Sequence, residues 1–452
     1  MHISTRDLIS KYNRPGPRYT SYPTALQFSP VEDPVALLKE TMHSTEPLSL
    51  YYHLPFCESL CWFCACTTVI TCNRDKADLY LDAIEKEMDM TLPYLNADNR
   101  VVNQLHFGGG SPSFQTPVQL DRLCSDIRKR FNFSPNAEIS AELDPRTLTE
   151  EKVKVLASHG FNRASFGVQD VDPKVQKAVH RIQPDEMNRQ CIKWVRDAGI
   201  QSVNVDLIYG LPFQTVESFR QTLETVLTYS PDRLAVFSYA HVPWVAPAQK
   251  ILERSTLPDP EVKFAMLLET IDMLTSNGYV YIGMDHFAKE GDELSNALRD
   301  GGLHRNFQGY TTMAGLEMCG FGMSSISQNG VSYRQNQKDL EDWHQAIDAN
   351  RLPAHKGYHM TDEDKLRKDV IMSIMCSGDI RYQKFNDKFG INFEEHFAGA
   401  IQSLQEPSED GLVTFKEGGF KVTEEGRLLL RNIAMPFDEY LQAGPGRHAK
   451  TI

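Results

Sequence analysis

The sequence predicts an α/β fold. A mostly parallel sheet of repeated strand–helix units follows an irregular N-terminal arm and precedes a mostly helical C-terminal region with a hairpin. Three observations carry this. Short apolar runs (SLYYHL, NQLHFGG, AEISAEL, NRASFGV, SVNVDLIYG and RLAVFSYA) recur from about residue 48. Between most of them lie segments with helical spacing, at 76–91, 119–131, 150–159, 184–198 and 216–228. Such alternation implies βα units on a parallel sheet. From about residue 360 it stops. Six units fit an open or partial barrel and equally a doubly wound sheet, and periodicity does not separate the two.

In chain order, residues 1–35 are rich in Pro, Gly, Tyr and Thr and show no regular period, so GPRYTSYPT reads as an irregular arm. Its aromatic content is high for a disordered tail, so it is expected to pack on something. Residues 36–355 form the catalytic domain on this reading and 356–452 the C-terminal domain. In the latter, 362–376, 382–389 and 393–404 look helical. DGLVTFKEGGFKVTEEGRLLLRNI reads as a hairpin turning at Gly418-Gly419, then a helix. Helices plus a hairpin resemble a winged helix. A DNA-binding role does not follow, because fold does not imply function and the segment is too acidic for a phosphate backbone.

Composition narrows the class. Hydrophobic residues make up 41% and charged residues 24% of the 452, as in a soluble globular protein. The net charge of −13 argues against a nucleic-acid partner. No apolar run reaches the ~18 residues of a membrane span. MHISTRDLISKYNRPG lacks the apolar core of a secretory signal.

The most informative residues follow the first apolar run. Cys57, Cys61 and Cys64 form a C-x-x-x-C-x-x-C loop, CESLCWFC. Three close thiolates can hold three irons of a [4Fe–4S] cube and leave the fourth open, and soft thiolates suit such clusters. Zinc sites usually use two separated pairs, whereas these candidates share one short loop. A disulfide framework is disfavoured by nine mostly scattered cysteines in a long chain. Cys66 follows at once, so the run alone does not say which three bind.

The triplet's spacing resembles that of the radical S-adenosylmethionine (SAM) enzymes. YYHLPFCESLCWFCACTTVIT resembles more closely the loop of one family among them, the oxygen-independent coproporphyrinogen III oxidases (dehydrogenases) of haem biosynthesis. The likeness spans nearly the whole chain, through KYNRPGPRYTSYPTALQFS, LHFGGGSP, AEISAELDPR, GFNRASFGVQD, NVDLIYGLP, GMDHFA, HRNFQGYTT and GRLLLRNIAMPFDEYL. It implies a partial (β/α)6 barrel, in which reactive groups gather at the C-terminal strand ends. It also implies one [4Fe–4S] cluster on Cys57, Cys61 and Cys64 plus SAM, a second SAM beside the first, and Cys66 as a non-ligand. The reaction implied is loss of a hydrogen from a propionate β-carbon to a 5′-deoxyadenosyl radical, then of CO2 and an electron. Two such events turn coproporphyrinogen III into protoporphyrinogen IX.

The resemblance further assigns Tyr51 and Phe63 to the first SAM, with Gly108-Gly109-Gly110-Ser111-Pro112 and Glu142 at its amino-acid end. It assigns Gly110, Ser111, Gln169, Arg181, Asp206 and Ala240 to the second, and Phe307, Gln308 and Ile326 to the SAM and substrate region. Each is bland alone: a G-G-G turn is usually an ordinary loop, and an arginine beside an acid is usually a structural ion pair. A tetracarboxylate needs a locally basic site in an acidic protein. Arg14, Arg18 and Arg305 are candidates for it, or else solvated arginines. The resemblance makes a flavodoxin or ferredoxin a plausible electron donor. A monomer in a reducing cytoplasm is expected. Departures are Trp62, where tyrosine is usual, Ala434-Met435-Pro436 in place of a C-x-C, and drift in SSISQNG and GLEMCG.

The competing reading is a haem-binding relative, either a haem chaperone or a haem-opening methyltransferase. Cys66, which is phenylalanine in the chaperones, and the complete arm argue against it. A structural Fe–S or zinc protein is a third option, opposed by intact GGGSP, Glu142 and HRNFQGY.

Overall fold

The computed structural model describes residues 5–254, 257–442 and 451. Six parallel strands form the frame: β1 (Leu48–Leu54), β2 (Val101–Gly109), β3 (Asn132–Leu143), β4 (Arg163–Gln169), β5 (Ser202–Tyr209) and β6 (Arg233–Ser238). They pair in sequence order, each with the next. A doubly wound sheet reverses its strand order, and right-handed crossovers without reversal put every helix on one face. The topology therefore decides what periodicity left open: this is the curved sheet of a partial barrel.

Helices α1 (Asp75–Thr91), α2 (Pro117–Arg130), α3 (Glu150–Ser158), α4 (Asp185–Asp197) and α5 (Val216–Leu227) follow β1 to β5, and α6 (Pro260–Ser276) follows β6. Their starts are written locally. Thr116 and Thr215 each cap a helix, their hydroxyls accepting from the Gln119 and Ser218 amides while their own amides donate to those residues' side chains, which satisfies otherwise orphaned amides.

Along β5, Val203, Val205, Leu207 and Tyr209 are buried. The alternate residues Asn204 and Asp206 line an internal cavity with His106, Glu142 and Ser165. Period-two alternation thus sends apolar side chains to the packed face and polar ones to the concave face. The lumen is a polar chamber rather than a filled core.

The sheet is extended at both ends. β7 (Tyr279–Gly283) and β8 (His286–Lys289) add antiparallel beside β6. β9 (His304–Asn306) and β10 (Gly309–Thr311) form a separate hairpin. β11 (Glu317–Phe321) pairs parallel to β1, and β12 (Ile326–Gln328), β13 (Ser332–Asn336) and β14 (Ala354–His359) continue antiparallel. Among the described residues the sheet has thirteen strands, counting Ser29–Pro30 on β14.

The C-terminal region holds α7 (Asp362–Cys376), β15 (Asp379–Arg381), α8 (Tyr382–Phe389), β16 (Val413–Lys416) and β17 (Gly419–Val422). The expected hairpin gains a third strand, β15. The stretch expected as one helix over 393–404 is broken into Phe393–His396 and Ala398–Ser403.

The arm differs from its sequence reading at one end. Thr5–Tyr12 is helical, and Leu8, Ile9 and Tyr12 are buried. Apart from a 3-10 turn at Ala25–Gln27 and the short strand Ser29–Pro30, the rest is irregular and packed: Tyr19 and Tyr22 are buried, Tyr19 donates to Asp438 (3.0 Å), and Asn432 donates to the Tyr12 carbonyl (2.8 Å). No helix among the described residues is long and apolar enough to cross a membrane.

Candidate active site

The cysteine loop leaves the C-terminal end of β1. Phe56–Cys57 pairs with Val69–Ile70, which ties the loop at both ends. Its middle is held from outside. The Trp62 amide donates to the Val179 carbonyl (3.0 Å), the Trp62 ring stacks on His180, and Gln249 donates to the Phe63 carbonyl (2.8 Å). Phe63 packs on an apolar cluster that includes Tyr239 and Leu252.

Arg146 and Arg181 both donate to Cys61 Sγ, at 3.3 and 3.5 Å, and both pair with Asp144, at 2.6 and 3.2 Å. Burial works against the Asp144 charge, but these two guanidinium groups outweigh it and hold the carboxyl near about 2. A hydrogen bond from Cys66 draws the Cys64 thiol down to about 7, while burial pushes Cys57 up to about 12. Among the described residues no three His, Cys, Asp or Glu side chains close around one point as ligands of a single ion would. In a four-iron cube each thiolate takes its own iron. Two guanidiniums at one sulfur and a lowered thiol at another suit thiolate ligation, so the residues fit an anionic iron–sulfur group.

The neighbouring strand ends complete this wall. Tyr51 stacks on His106 across the β1–β2 register and meets His53 Nδ1 at 3.1 Å. Gly109 (φ +109°) is possible because glycine tolerates that backbone. A Cβ there would stand 2.6 Å from the His53 ring. The Gly110 amide donates to Leu54 O (2.9 Å) and the Ser111 amide to Phe56 O (3.1 Å), so the GGGSP turn runs against the root of the cysteine loop. Glu142 Oε2 accepts from the Gly109 amide (3.4 Å) and Oε1 lies 3.2 Å from His106 Nε2. Burial opposes its charge, yet the bond to His106 keeps its carboxyl below the ordinary range. Half of its side chain is accessible, toward the cavities it lines.

Tyr51, Gly109, Glu142, Phe307, Gln308 and Ile326 line one cavity of about 660 Å³, together with Cys66. Arg18 and Arg305 line it too, whereas Arg14 is exposed elsewhere. Phe307 and Gln308 are the two-residue tip of the β9–β10 hairpin. Arg18 is paired with Asp285 and sits over Phe237. Arg305 is nine-tenths buried and stacks on Tyr310 (4.7 Å). Its Nε and Nη1, like Gln308 Nε2 and His286 Nδ1, are buried without a hydrogen-bond partner among the described residues. Buried donors of this kind are costly unless something accepts from them.

Asp206 lies in the adjoining lumen, accepting from Asn204 (2.7 Å) and Ser165 (3.1 Å); burial raises it to about 7. Gln169 ends β4 at φ +68° with Oε1 buried and unpartnered. Strain of this kind clusters at ligand sites. Arg181 also donates to the Gly167 carbonyl (2.6 Å), and Ala240 lies exposed beyond β6. Sequence reasoning did not single out Asp144, Arg146, His53, His106, Asp285 or His286. All six stood inside quoted motifs, and the usable signal was a charged residue or an imidazole on, or just beyond, a strand.

Parallel βα units with a three-cysteine loop at the end of the first strand define a radical SAM enzyme. Residues 51–226 match the Radical SAM superfamily model, and residues 360–429 match the HemN C-terminal domain. The chain is 45% identical to the oxygen-independent coproporphyrinogen III oxidase of Helicobacter pylori over 98% of both chains. It is 46% identical to that of Escherichia coli over 96% of this chain and 95% of the other. The solved coproporphyrinogen III oxidase HemN from Escherichia coli, a radical SAM enzyme, superposes with a TM-score of 0.92 at 44% identity, covering 97% and 99% of the two chains. The chain belongs to the oxygen-independent coproporphyrinogen III oxidase family.

Proposed function

We propose that this protein oxidatively decarboxylates two propionate side chains of coproporphyrinogen III to vinyl groups, giving protoporphyrinogen IX. The observation that carries the reading is one chamber in which the cysteine loop meets donors on Arg305 and Gln308 that have no acceptor among the described residues. The first side of that chamber suits a cluster and a nucleoside, and the second suits a carboxylate.

Cys57, Cys61 and Cys64 would hold the [4Fe–4S] cluster, with Cys66 donating to Cys64. When bound, the cluster and SAM supply the radical that removes hydrogen from the propionate. Arg146 and Arg181 stabilise negative charge at Cys61. Tyr51, Phe63 and the Gly109–Gly110–Ser111 turn would hold the first SAM, with Glu142 at its amino-acid end. Gln169, Arg181, Asp206 and Ala240 serve a second SAM. Phe307 and Ile326 shield the macrocycle from water, and Gln308 donates to it. The arm over 1–35 and the domain over 356–452 close around the catalytic part over 36–355. The protein works as a cytoplasmic monomer that takes electrons from a flavodoxin- or ferredoxin-type donor.

The test is anaerobic product analysis of the reconstituted, reduced protein. 5′-Deoxyadenosine and protoporphyrinogen IX are expected from SAM and coproporphyrinogen III. SAM cleavage without vinyl formation would sink the substrate assignment.

A further inference from the structure

We propose that a second, basic cavity beside the reaction chamber receives the substrate carboxylates that are not being removed, with Lys368 of the C-terminal region as their counter-ion. This rests on the reading of the chamber as a tetracarboxylate site. The second cavity also measures about 660 Å³ and lies between the β9–β10 hairpin, β11, β12, α7 and α8. It shares Arg305 and Met318 with the chamber. One side chain, nine-tenths buried and with two N–H groups unpartnered among the described residues, therefore stands at the junction of the two spaces.

The charge in this cavity is unbalanced. His304, Arg305, Lys368, Lys384 and Lys388 line it. Of the three acids there, Glu317 is taken by Arg100 (2.6 Å) and Asp369 by Lys388, so that Arg305, Lys368 and Lys384 face the single carboxylate of Glu46. Lys368 has no carboxylate in ion-pair reach among the described residues. Its ammonium meets Met360 Sδ at 4.0 Å and the Tyr333 ring at 5.1 Å. The same Tyr333 ring packs edge-on against Phe307 (6.2 Å), so Lys368 stands one aromatic layer from the chamber. Burial draws its amine down to about 8, as expected of an ammonium short of counter-charge.

Size points the same way. A cavity of about 660 Å³ suits one drug-sized ligand (roughly 300–1,000 Å³), yet under the proposed function the chamber would take a nucleoside and a macrocycle together. A neighbouring space with unspent cations lets spectator propionates leave the chamber without burying an unpaired charge.

The test is a fluorescence titration of the holoprotein with coproporphyrin III and with its tetramethyl ester, for the parent, Lys368→Met and Lys368→Arg. Lys368→Met is expected to weaken coproporphyrin III binding by about tenfold or more, the worth of a charge-assisted bond. The ester should bind the parent and the Met variant alike, and Lys368→Arg should restore the acid. Unchanged iron content controls for folding. Coproporphyrin binding by Lys368→Met within about twofold of the parent, or an equal loss for acid and ester, overturns the proposal. If the parent decarboxylates coproporphyrinogen III and Lys368→Met still binds normally, this inference falls and the functional reading stands. If the parent does not decarboxylate it, the functional reading falls, and the titration still decides the role of Lys368.

Discussion

Two arginine sites border the proposed reaction space and are built in opposite ways. Around Cys61, Arg146 and Arg181 share Asp144 and donate to the sulfur. Arg181 also spends a donor on the Gly167 carbonyl. At the β9–β10 hairpin, Arg305 is as deeply buried, yet its Nε and Nη1 find no acceptor among the described residues. The first is a knot in which both guanidiniums have their anion at folding, with only Arg181 Nε left without a partner among the described residues. The second keeps donors that folding leaves unspent. Burying a guanidinium without a partner is expensive, so the second arrangement makes sense where a ligand arrives with the missing anion. Arg18, paired with Asp285 on the same chamber, stands between the two.

The cysteine loop offers the most severe contrast. Cys64→Ser is expected to lose the cluster and all turnover. Cys66→Ser should keep the iron, measured by iron and sulfide content and by absorbance after anaerobic reconstitution. Equal loss in both would show that the knot surrounds a different set of ligands.

Asp144→Asn and Arg305→Met should then separate the two arginine sites. Asp144→Asn leaves two guanidiniums uncompensated and should cost on the order of 3 kcal/mol, seen as a lower denaturant midpoint, with poorer cluster retention. The native carboxyl sits near 2, below its unfolded value of about 4. Its contribution is therefore present above about pH 4 and is lost as pH falls through 2. Arg305→Met should leave stability and iron intact and reduce kcat/KM for coproporphyrinogen III by about ten- to hundredfold. A large stability loss in Arg305→Met would mean that this arginine is structural after all.

A smaller effect should appear at Asp206. Its carboxyl is raised to about 7 by burial, against about 3.9 unfolded. The unfolded chain ionises it first, so the ligand-free protein loses stability as pH rises from about 4 to about 7. Asp206→Asn should remove that loss, giving a higher melting temperature at pH 8 and a difference that vanishes near pH 4. A variant less stable than its parent at pH 8 would show that the charge is better compensated than its neighbours suggest.

Much of this was legible in the linear chain, because local rules govern it. The six apolar runs are the six parallel strands. The five helical segments between them end within about two residues of the observed helices. The cysteine spacing and its flanking motifs named the family. The arm's helix went unseen because Leu8, Ile9 and Tyr12 gain their burial from distant parts of the chain. The strand Asp379–Arg381 went unseen for a similar reason: it is a strand only by pairing with Gly419–Val422.

The tertiary structure alone decided three things. Strand order separated a partial barrel, which the family resemblance implied, from the doubly wound sheet that periodicity equally allowed, since periodicity is blind to which strand neighbours which. Packing told the candidate arginines apart: Arg14 is solvated, Arg18 is neutralised by Asp285, and Arg305 is left wanting an anion. It also placed Lys368, an ordinary residue of an ordinary helix, one ring away from the chamber. Whether a charge is spent or available depends on what lies across space from it. Residues 285 and 18, or 368 and 333, meet only once the chain has folded.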